Sequence, residues 1–555
     1  MLSAIRSAAV LGVDAYDVTV EVDVAHGLPC WTLVGLPATA VKESRERVAA
    51  ALANAGFTVP PRRITVNLAP GDVRKDGTAF DVPIALAILV ATGQLPADAV
   101  AGLVAVGELG LDGTLRSVRG TLPIARAAAG RAALLVVPPA NAAEAALVPA
   151  LHVCAPPTLG HLAAWLARGG LPPAAARAPL VPAASEQAAD FADVAGQHAA
   201  KRALEVAAAG GHNVALVGPP GAGKTMLARR LPSILPALTD EEALAVIAIR
   251  SVAGVLPGGP LTAPVRPFRA PHHTVSAAGL IGGGSVPRPG EVSLAHLGVL
   301  FLDELLEFPR HVLDALRQPL EDGAVTIARA TVAATFPARF TLVGAMNPCP
   351  CGAAAPPGLD AGAPAGARAC SCSPSDVARY RARLSGPLAD RIDMHVAVGA
   401  VPIRALAAGR DGSEPSSRVR ERVERARGRQ GARYAELHGV TCNAHVPGPW
   451  LATHAAVEPA ARELLAVAAE RLGLSARAYH RVLKVARTIA DLDDADRVAP
   501  TAVAEALRYR PAAPGPPSGV SAPPAPRPST SIGARAGGDG SRVAGRVPRG
   551  AIPRP

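Results

Sequence analysis

Aromatic side chains are scarce. Phe, Tyr and Trp supply only 3% of the 555 residues, although 49% are hydrophobic, and much of that fraction is alanine. Such a composition reads as helix-rich and soluble. Long apolar runs are also missing. Residues 1–11 are mildly apolar but lead straight into Asp14 and Asp17, and no later run approaches the roughly 20 residues that cross a bilayer. The sequence therefore predicts a cytoplasmic protein without a membrane segment. Cysteine numbers only seven, without the even framework of a small secreted fold. Acidic residues number 45 against 56 basic ones, for a net charge of +11 and a pI of about 9.8, which favours an anionic partner such as nucleic acid. Part of that excess sits in residues 511–555, where Arg527, Arg535, Arg542, Arg546, Arg549 and Arg554 face only Asp539. This Pro/Gly/Ser/Ala-rich stretch cannot bury a core and is expected to be a disordered basic tail, either a solvated extension or a nonspecific nucleic-acid contact. The remaining length suffices for two to four domains.

What is present centres on one stretch. The apolar run Asn213-Val214-Ala215-Leu216-Val217 leads into Gly218-Pro219-Pro220-Gly221-Ala222-Gly223-Lys224-Thr225, and a helical pattern follows from Met226. Strand, glycine-rich loop and helix make a P-loop in its proper context. Glycines let backbone N–H groups wrap phosphate oxygens, Lys224 reaches the β and γ phosphates, and Thr225 holds Mg²⁺. A second buried-strand pattern, Gly298-Val299-Leu300-Phe301-Leu302, ends in Asp303-Glu304. Acids at the carboxyl end of such a strand sit where open α/β sheets bind ligands. Asp303 is placed to hold Mg²⁺ and Glu304 to polarise the attacking water, as ATP hydrolysis requires.

The first 165 or so residues read as a mixed α+β domain. Strands are predicted at residues 18–24, 31–35, 64–68 and 103–106, and helices at 42–55 and 81–93. Within it, Gly35-Leu36-Pro37, Lys42-Glu43-Ser44-Arg45-Glu46-Arg47-Val48, Val66-Asn67-Leu68-Ala69-Pro70 and Lys75-Asp76-Gly77-Thr78-Ala79-Phe80-Asp81 resemble the magnesium-chelatase-like AAA+ proteins of the ComM/YifB type. That resemblance implies a Lon-protease-like fold for residues 1–170. It also puts the protease serine at Ala79 and the protease lysine at Leu122, in the segment Arg116-Ser117-Val118-Arg119-Gly120-Thr121-Leu122-Pro123. With neither hydroxyl nor amine, peptide hydrolysis by that route is lost, which leaves a scaffold or DNA-contacting module.

A Pro/Ala-rich linker is expected at 171–189 and a P-loop AAA+ αβα core at 190–400, where Asp190-Phe191-Ala192-Asp193-Val194-Ala195-Gly196-Gln197 resembles the family's adenine-side segment. Between the ATP motifs stands Ala270-Pro271-His272-His273-Thr274. Adjacent histidines point apart on a strand and lie far apart around a helix, so a structural or DNA-facing loop is favoured over a metal site. After a helix at 309–321, residues 325–336 read as a β-hairpin whose turn carries Arg329. The family turns this hairpin toward a central pore, where a cation contacts phosphate without reading sequence; an exposed surface arginine is the other reading. The strand 340–346 ends at Asn347, which matches the AAA+ polar sensor.

Behind Asn347 come Cys349-Pro350-Cys351 and, later, Cys370-Ser371-Cys372. Two close thiol pairs suit one tetrahedral Zn²⁺ that staples the loop 349–372; free thiols or a redox-sensitive pair are the alternatives. Ala389-Asp390-Arg391-Ile392-Asp393 resembles the arginine-finger segment of AAA+ motors. Arg391 would thus act on a neighbour's ATP, which implies oligomerisation; a salt bridge to Asp390 or Asp393 is its plainer role. Residues 416–510 resemble the family's C-terminal helical lid. There Leu474-Ser475-Ala476-Arg477-Ala478-Tyr479-His480-Arg481 supplies Arg477 as the second sensor, with Arg481 one turn on as runner-up.

The resemblance spans about residues 1–510. It implies a hexameric ring motor that binds ATP and Mg²⁺, moves single-stranded or branched DNA and promotes branch migration during recombination of incoming DNA. The main rival is a chelatase-type motor subunit serving a protein partner, although chelatase motor subunits lack the Lon-like first domain. A Lon-like protease is disfavoured by Ala79 and Leu122.

Overall fold

The computed structural model describes residues 1–149, 151–169, 172–176, 189–256, 261–284, 286–329, 332–354, 369–401 and 413–510. The basic tail at 511–555, most of the linker and the centre of the cysteine loop lie outside the described residues.

The first region is built on a seven-stranded mixed sheet. Its strands are β1 (Leu2–Leu11), β2 (Asp14–Ala25), β3 (Cys30–Val34), β4 (Arg63–Ala69), β5 (Leu103–Ala105), β8 (Leu134–Val136) and β9 (Val153–Cys154), while β6 (Glu108–Leu109) and β7 (Leu115–Arg116) form a small separate ribbon. The spatial order is β3-β4-β2-β1-β5-β8-β9. The alternation in β2 buries Val18, Val20 and Val22, as a half-buried strand requires. β1 was not foreseen, because its inward face carries serines. The buried Ser3 and Ser7 donate their hydroxyls to the carbonyls of Ala87 (2.7 Å) and Ala105 (2.8 Å), so the apolar alternation is broken while every polar atom stays satisfied.

Against this sheet lies a helix, Asp81–Ala91, buried along all eleven residues. Its first residue is gripped by the Arg47 guanidinium at 2.6 and 3.0 Å. The single helix expected at 42–55 is instead Thr39–Lys42 followed by Ser44–Asn54, with Glu43 between them.

The second region holds β10 (Val214–Val217), β11 (Phe268–Arg269), β12 (Gly282–Gly283), β13 (Arg288–Pro289), β14 (Val299–Leu302), β15 (Ala324–Arg329), β16 (Val332–Pro337), β17 (Thr341–Met346) and β18 (Met394–Ala397). Five of them form one parallel sheet in the order β11-β14-β17-β10-β18. All four residues of β14 are buried, which is why it reads as an unbroken apolar run. The expected hairpin is β15 and β16, with Arg329 at the end of β15 opposite Val332 and its turn outside the described residues. The helix expected at 309–321 is two short ones, Arg310–Asp314 and Arg317–Asp322.

Helices Ser416–Arg433, Gly448–His454, Pro459–Leu472, Ala476–Leu492 and Pro500–Arg508 follow. They pack on the sheet through a continuous core that runs from Val214 and Val343 to Val482, Ile489 and Val503. Gln430 joins this bundle to the helix His198–Gly210 by donating to the Ala209 carbonyl at 3.1 Å, and its Oε1 accepts from the Asn443 amide at 2.8 Å.

The two regions touch at defined points. Leu122 packs on Ile247 and Ala248 of the helix Asp240–Ala253, the Gly120 amide donates to the Ser251 carbonyl at 3.2 Å, and the β1–β2 turn at Gly12 lies against the backbone of Thr335 in β16. No helix among the described residues is long and apolar enough to cross a membrane.

Candidate nucleotide site

Register fixes which loops meet. Val217 at the end of β10 stands opposite Met346 of β17 and Ala397 of β18, while Leu302 at the end of β14 stands opposite Gly344. Gly218, Asp303 and Asn347 therefore leave the sheet at one carboxyl edge. The loop can lie this close to β18 because residue 218 is glycine: a Cβ there would fall 2.1 Å from the Val398 carbonyl oxygen.

The helix Lys224–Ile234 begins directly after the loop, so its free amides face the same edge. The Lys224 ammonium has three donors, and all three are used, on the carbonyls of Gly218 (2.6 Å) and Pro219 (2.9 Å) and on Asn347 Oδ1 (3.1 Å). Burial lowers the pKa of this lysine. Thr225 donates its hydroxyl to Asp303 Oδ2 at 2.7 Å. The loop residues 218–225, Asp303 and Asn347 are thus brought together, with a cation beside the loop that would cradle phosphate and a hydroxyl–carboxylate pair suited to a hydrated divalent ion. Gln197 adds a brace that sequence reading did not single out, donating to the carbonyls of Ala222 (3.0 Å) and Gly399 (2.7 Å).

Glu304 sits at φ +50°, a left-handed conformation that non-glycine residues adopt at a cost of about 1 kcal/mol or more. Its carboxylate is exposed and lies 3.4 Å from His273 Nδ1. The His273 ring lies beside that of His272, with centres 4.0 Å apart and planes tilted by 33°. One of the paired histidines thus meets the water-polarising candidate, a contact that no sequence pattern announces.

Arg391 and Arg477 line one cavity of about 350 Å³ together with Arg339, Arg481 and Lys484. No residue of 218–225, nor Asp303, Glu304 or Asn347, lines it. Arg391 pairs with Glu321 and donates to the Pro387 carbonyl at 2.7 Å, rather than pairing with Asp390 or Asp393. Asp393 is engaged by Arg481 at 3.4 Å and by the Asn213 amide at 3.0 Å. Arg329 is exposed, and its Nε donates to the Gly284 carbonyl at 3.2 Å, which ties the β15–β16 hairpin to the β12–β13 ribbon.

The four thiols of Cys349, Cys351, Cys370 and Cys372 lie within 4.8 Å of one another, the one group of metal-compatible ligands among the described residues. Backbone N–H groups of Ala353 and Ser371 pull the Cys351 thiol down to about 6.

In the first region a cavity of about 670 Å³ is lined by Ala79, Ser117, Arg119 and Glu144, and on its far side by Ser251 and Arg288 of the second region. Ala79 offers it a methyl group. Leu122 is buried in the apolar contact with Ile247 and Ala248. Neither position carries a group able to attack a peptide.

Comparison with known proteins agrees with this layout. Residues 190–406 match the family described as magnesium chelatase, subunit ChlI, residues 20–141 match subunit ChlI of Mg-chelatase, and residues 413–510 match the ChlI C-terminal family. The chain is 44% identical over 515 residues to the competence protein ComM of Haemophilus influenzae, covering 92% of this chain and 97% of the relative. It is 42% identical over 510 residues to the uncharacterized protein YifB of Salmonella typhimurium, again 92% and 97%, and 46% identical over 510 residues to an uncharacterized protein of Mycobacterium tuberculosis, 91% and 97%. With a P-loop at the edge of a parallel sheet and similarity along nearly its whole length, the chain belongs to the magnesium-chelatase-like ComM/YifB family.

Proposed function

We propose that the chain is an ATP-hydrolysing ring motor that acts on DNA, with branch migration during recombination of incoming DNA as its activity. The observation that carries the ATPase reading is the meeting of Lys224 with Asn347, and of Thr225 with Asp303, at one sheet edge. Lys224 would turn from the loop carbonyls to the phosphates of bound ATP, and Thr225 and Asp303 would hold Mg²⁺, which neutralises phosphate charge. Glu304 then polarises water that Asn347 orients. The four cysteines hold Zn²⁺.

Arg391 serves the ATP of a neighbouring subunit, which favours a hexamer, and Arg477 is the second sensor that touches phosphate from the lid. Support comes from their shared cavity, whose lining includes none of this chain's own phosphate-site residues. Mixing Arg391→Ala with Lys224→Ala subunits should then restore hydrolysis at mixed interfaces; no recovery at any ratio removes the finger in trans. Residues 1–170 act as a catalytically degenerate Lon-like scaffold, 190–400 as the AAA+ core and 416–510 as its helical lid.

The DNA assignment draws on the Haemophilus relative, named as a competence protein, and on Arg329 at the exposed end of a hairpin. A second reading, a motor driving a protein partner as in metal chelatases, is favoured by the chelatase description of all three matching family models. The deciding measurement is the ATPase rate with single-stranded, duplex and four-way-junction DNA at low and moderate salt. Stimulation that persists in moderate salt is expected. Hydrolysis that no DNA stimulates would favour the protein-partner reading.

A further inference from the structure

The cysteine centre and the phosphate loop share a wall. Cys349 is buried just past Asn347, and the turn that follows brings Gly352 onto the loop. A Cβ at position 352 would fall 2.6 Å from Pro220 Cδ and 3.9 Å from Asn347 Cγ. Gly352 also has φ +78°, so both space and backbone conformation demand glycine. The turn is held from within by Gly352 N donating to the Cys349 carbonyl at 3.0 Å and by Ala354 N donating to Cys349 Sγ at 3.3 Å. From outside, Arg381 donates to the Pro348 carbonyl at 3.4 Å.

The sulfurs converge as one group, not as two separate pairs. Cys349 and Cys351 are 3.4 Å apart, and each lies 3.6 Å from Cys370 of the other segment. Four thiolates around zinc at about 2.3 Å would stand about 3.8 Å from each other, close to this spacing. Soft thiolates in tetrahedral array select zinc over the hard cations of a nucleotide site.

We infer that this zinc centre is a clasp on the nucleotide site: the ion fixes the turn 348–354 against Pro220 and Asn347, and so sets the loop that holds the phosphates and the residue that orients water. The inference rests on the reading of residues 218–225 as a nucleotide site. Its consequence is energetic linkage. If zinc favours the loop conformation that binds ATP, then ATP must retain zinc by the same factor.

The test uses the full chain, purified without chelator. Metal analysis should find about one zinc per chain, lost in a Cys351→Ser, Cys372→Ser variant. Zinc affinity is then measured at equilibrium by competition with a chromophoric chelator, with and without ATP–Mg²⁺, alongside direct nucleotide binding. ATP is expected to tighten zinc binding about tenfold in the native chain and not at all in Lys224→Ala. Gly352→Ala keeps its four thiols and its zinc, but its methyl group pushes the turn from Pro220, so ATP protection should fall toward unity. Absence of zinc, or iron in its place, overturns the inference. So does zinc whose affinity ignores bound ATP, or full protection in Gly352→Ala. Should Gly352→Ala fail to fold, the native chain and Lys224→Ala still decide. A native chain that binds no nucleotide would instead remove the nucleotide reading, a result separate from these.

Discussion

The sheet edge of the second region and the cleft of the first are both walled by glycine-containing loops and both sit on tightly packed cores, yet they carry different side chains. At the sheet edge, two hydrogen bonds join Lys224 to Asn347 and Thr225 to Asp303. In the first region, the positions that the family resemblance gives to a protease serine and lysine hold a methyl group at Ala79 and an isobutyl group at Leu122, and Leu122 docks the helix Asp240–Ala253. The difference lies in which polar atoms remain, not in how well each region is ordered.

The hardest test of this contrast is to disarm one cleft and rearm the other. Glu304→Gln should bind nucleotide normally but turn over at least about 100-fold more slowly, the scale of a lost general base. Lys224→Ala should lose nucleotide binding itself. In the first region, Ala79→Ser with Leu122→Lys should give no casein cleavage, because the new amine would enter an apolar contact rather than the cleft. Normal hydrolysis by Glu304→Gln, or proteolysis by the double variant, would erase the distinction. Leu122→Lys alone should cost about 3 kcal/mol or more, since it removes a packed side chain and buries an unpaired charge. Thermal unfolding measures this, with Leu122→Met as the volume-conserving control expected within about 1.5 kcal/mol of the native chain.

Acid separates the regions in opposite directions. Burial pushes the Asp81 carboxyl up to about 6 despite its Arg47 partner. On acidification from pH 6 toward 3.8 the folded first region gains its proton before the unfolded chain does, and is stabilised by on the order of 3 kcal/mol. In the motor, burial lowers His296 to about 4, with the Arg339 guanidinium adding to the effect, and burial likewise lowers His395 to about 4 beside Arg510. The Arg339 amide donates to His296 Nδ1 at 3.0 Å, which requires that nitrogen unprotonated. From pH 6.5 down to 4 the unfolded chain takes up these protons first, so each histidine withdraws on the order of 3 kcal/mol from the motor. Hydrogen exchange at pH 7 and pH 5 should therefore show amides of β14 and β17 losing protection while those of Asp81–Ala91 hold or gain. Equal losses in both would mean that the buried histidines do not govern the motor.

What the sequence disclosed follows from the same physics. β10 and β14 were legible because strands buried on both faces are continuous apolar runs, and the loop between Val217 and Lys224 because phosphate wrapping demands glycine. β1 was hidden by Ser3 and Ser7, whose hydroxyls find distant carbonyls that no local pattern reveals. The residues 309–321 carry a helical pattern, but the chain turns near Ala315 and Leu316, and two short helices result. The His273–Glu304 and Gly352–Pro220 contacts join segments that only the sheet register brings together. Residue type told which atoms could do chemistry, and the fold told which of them met.

The smallest expected effect concerns one exposed arginine of the second region. Arg329 ends β15 and reaches the Gly284 carbonyl with Nε at 3.2 Å. As a phosphate contact it neutralises one charge and releases about one counterion, so Arg329→Ala should reduce the slope of log affinity against log salt by about one for every DNA tested. Arg329→Lys keeps the charge but loses the planar guanidinium that spans to Gly284. If the charge is what matters, Lys restores the slope; if bracing the ribbon matters, Lys behaves as Ala does. An unchanged slope in Arg329→Ala would leave the hairpin a structural ornament of the motor and return the search for its DNA contact to other basic residues.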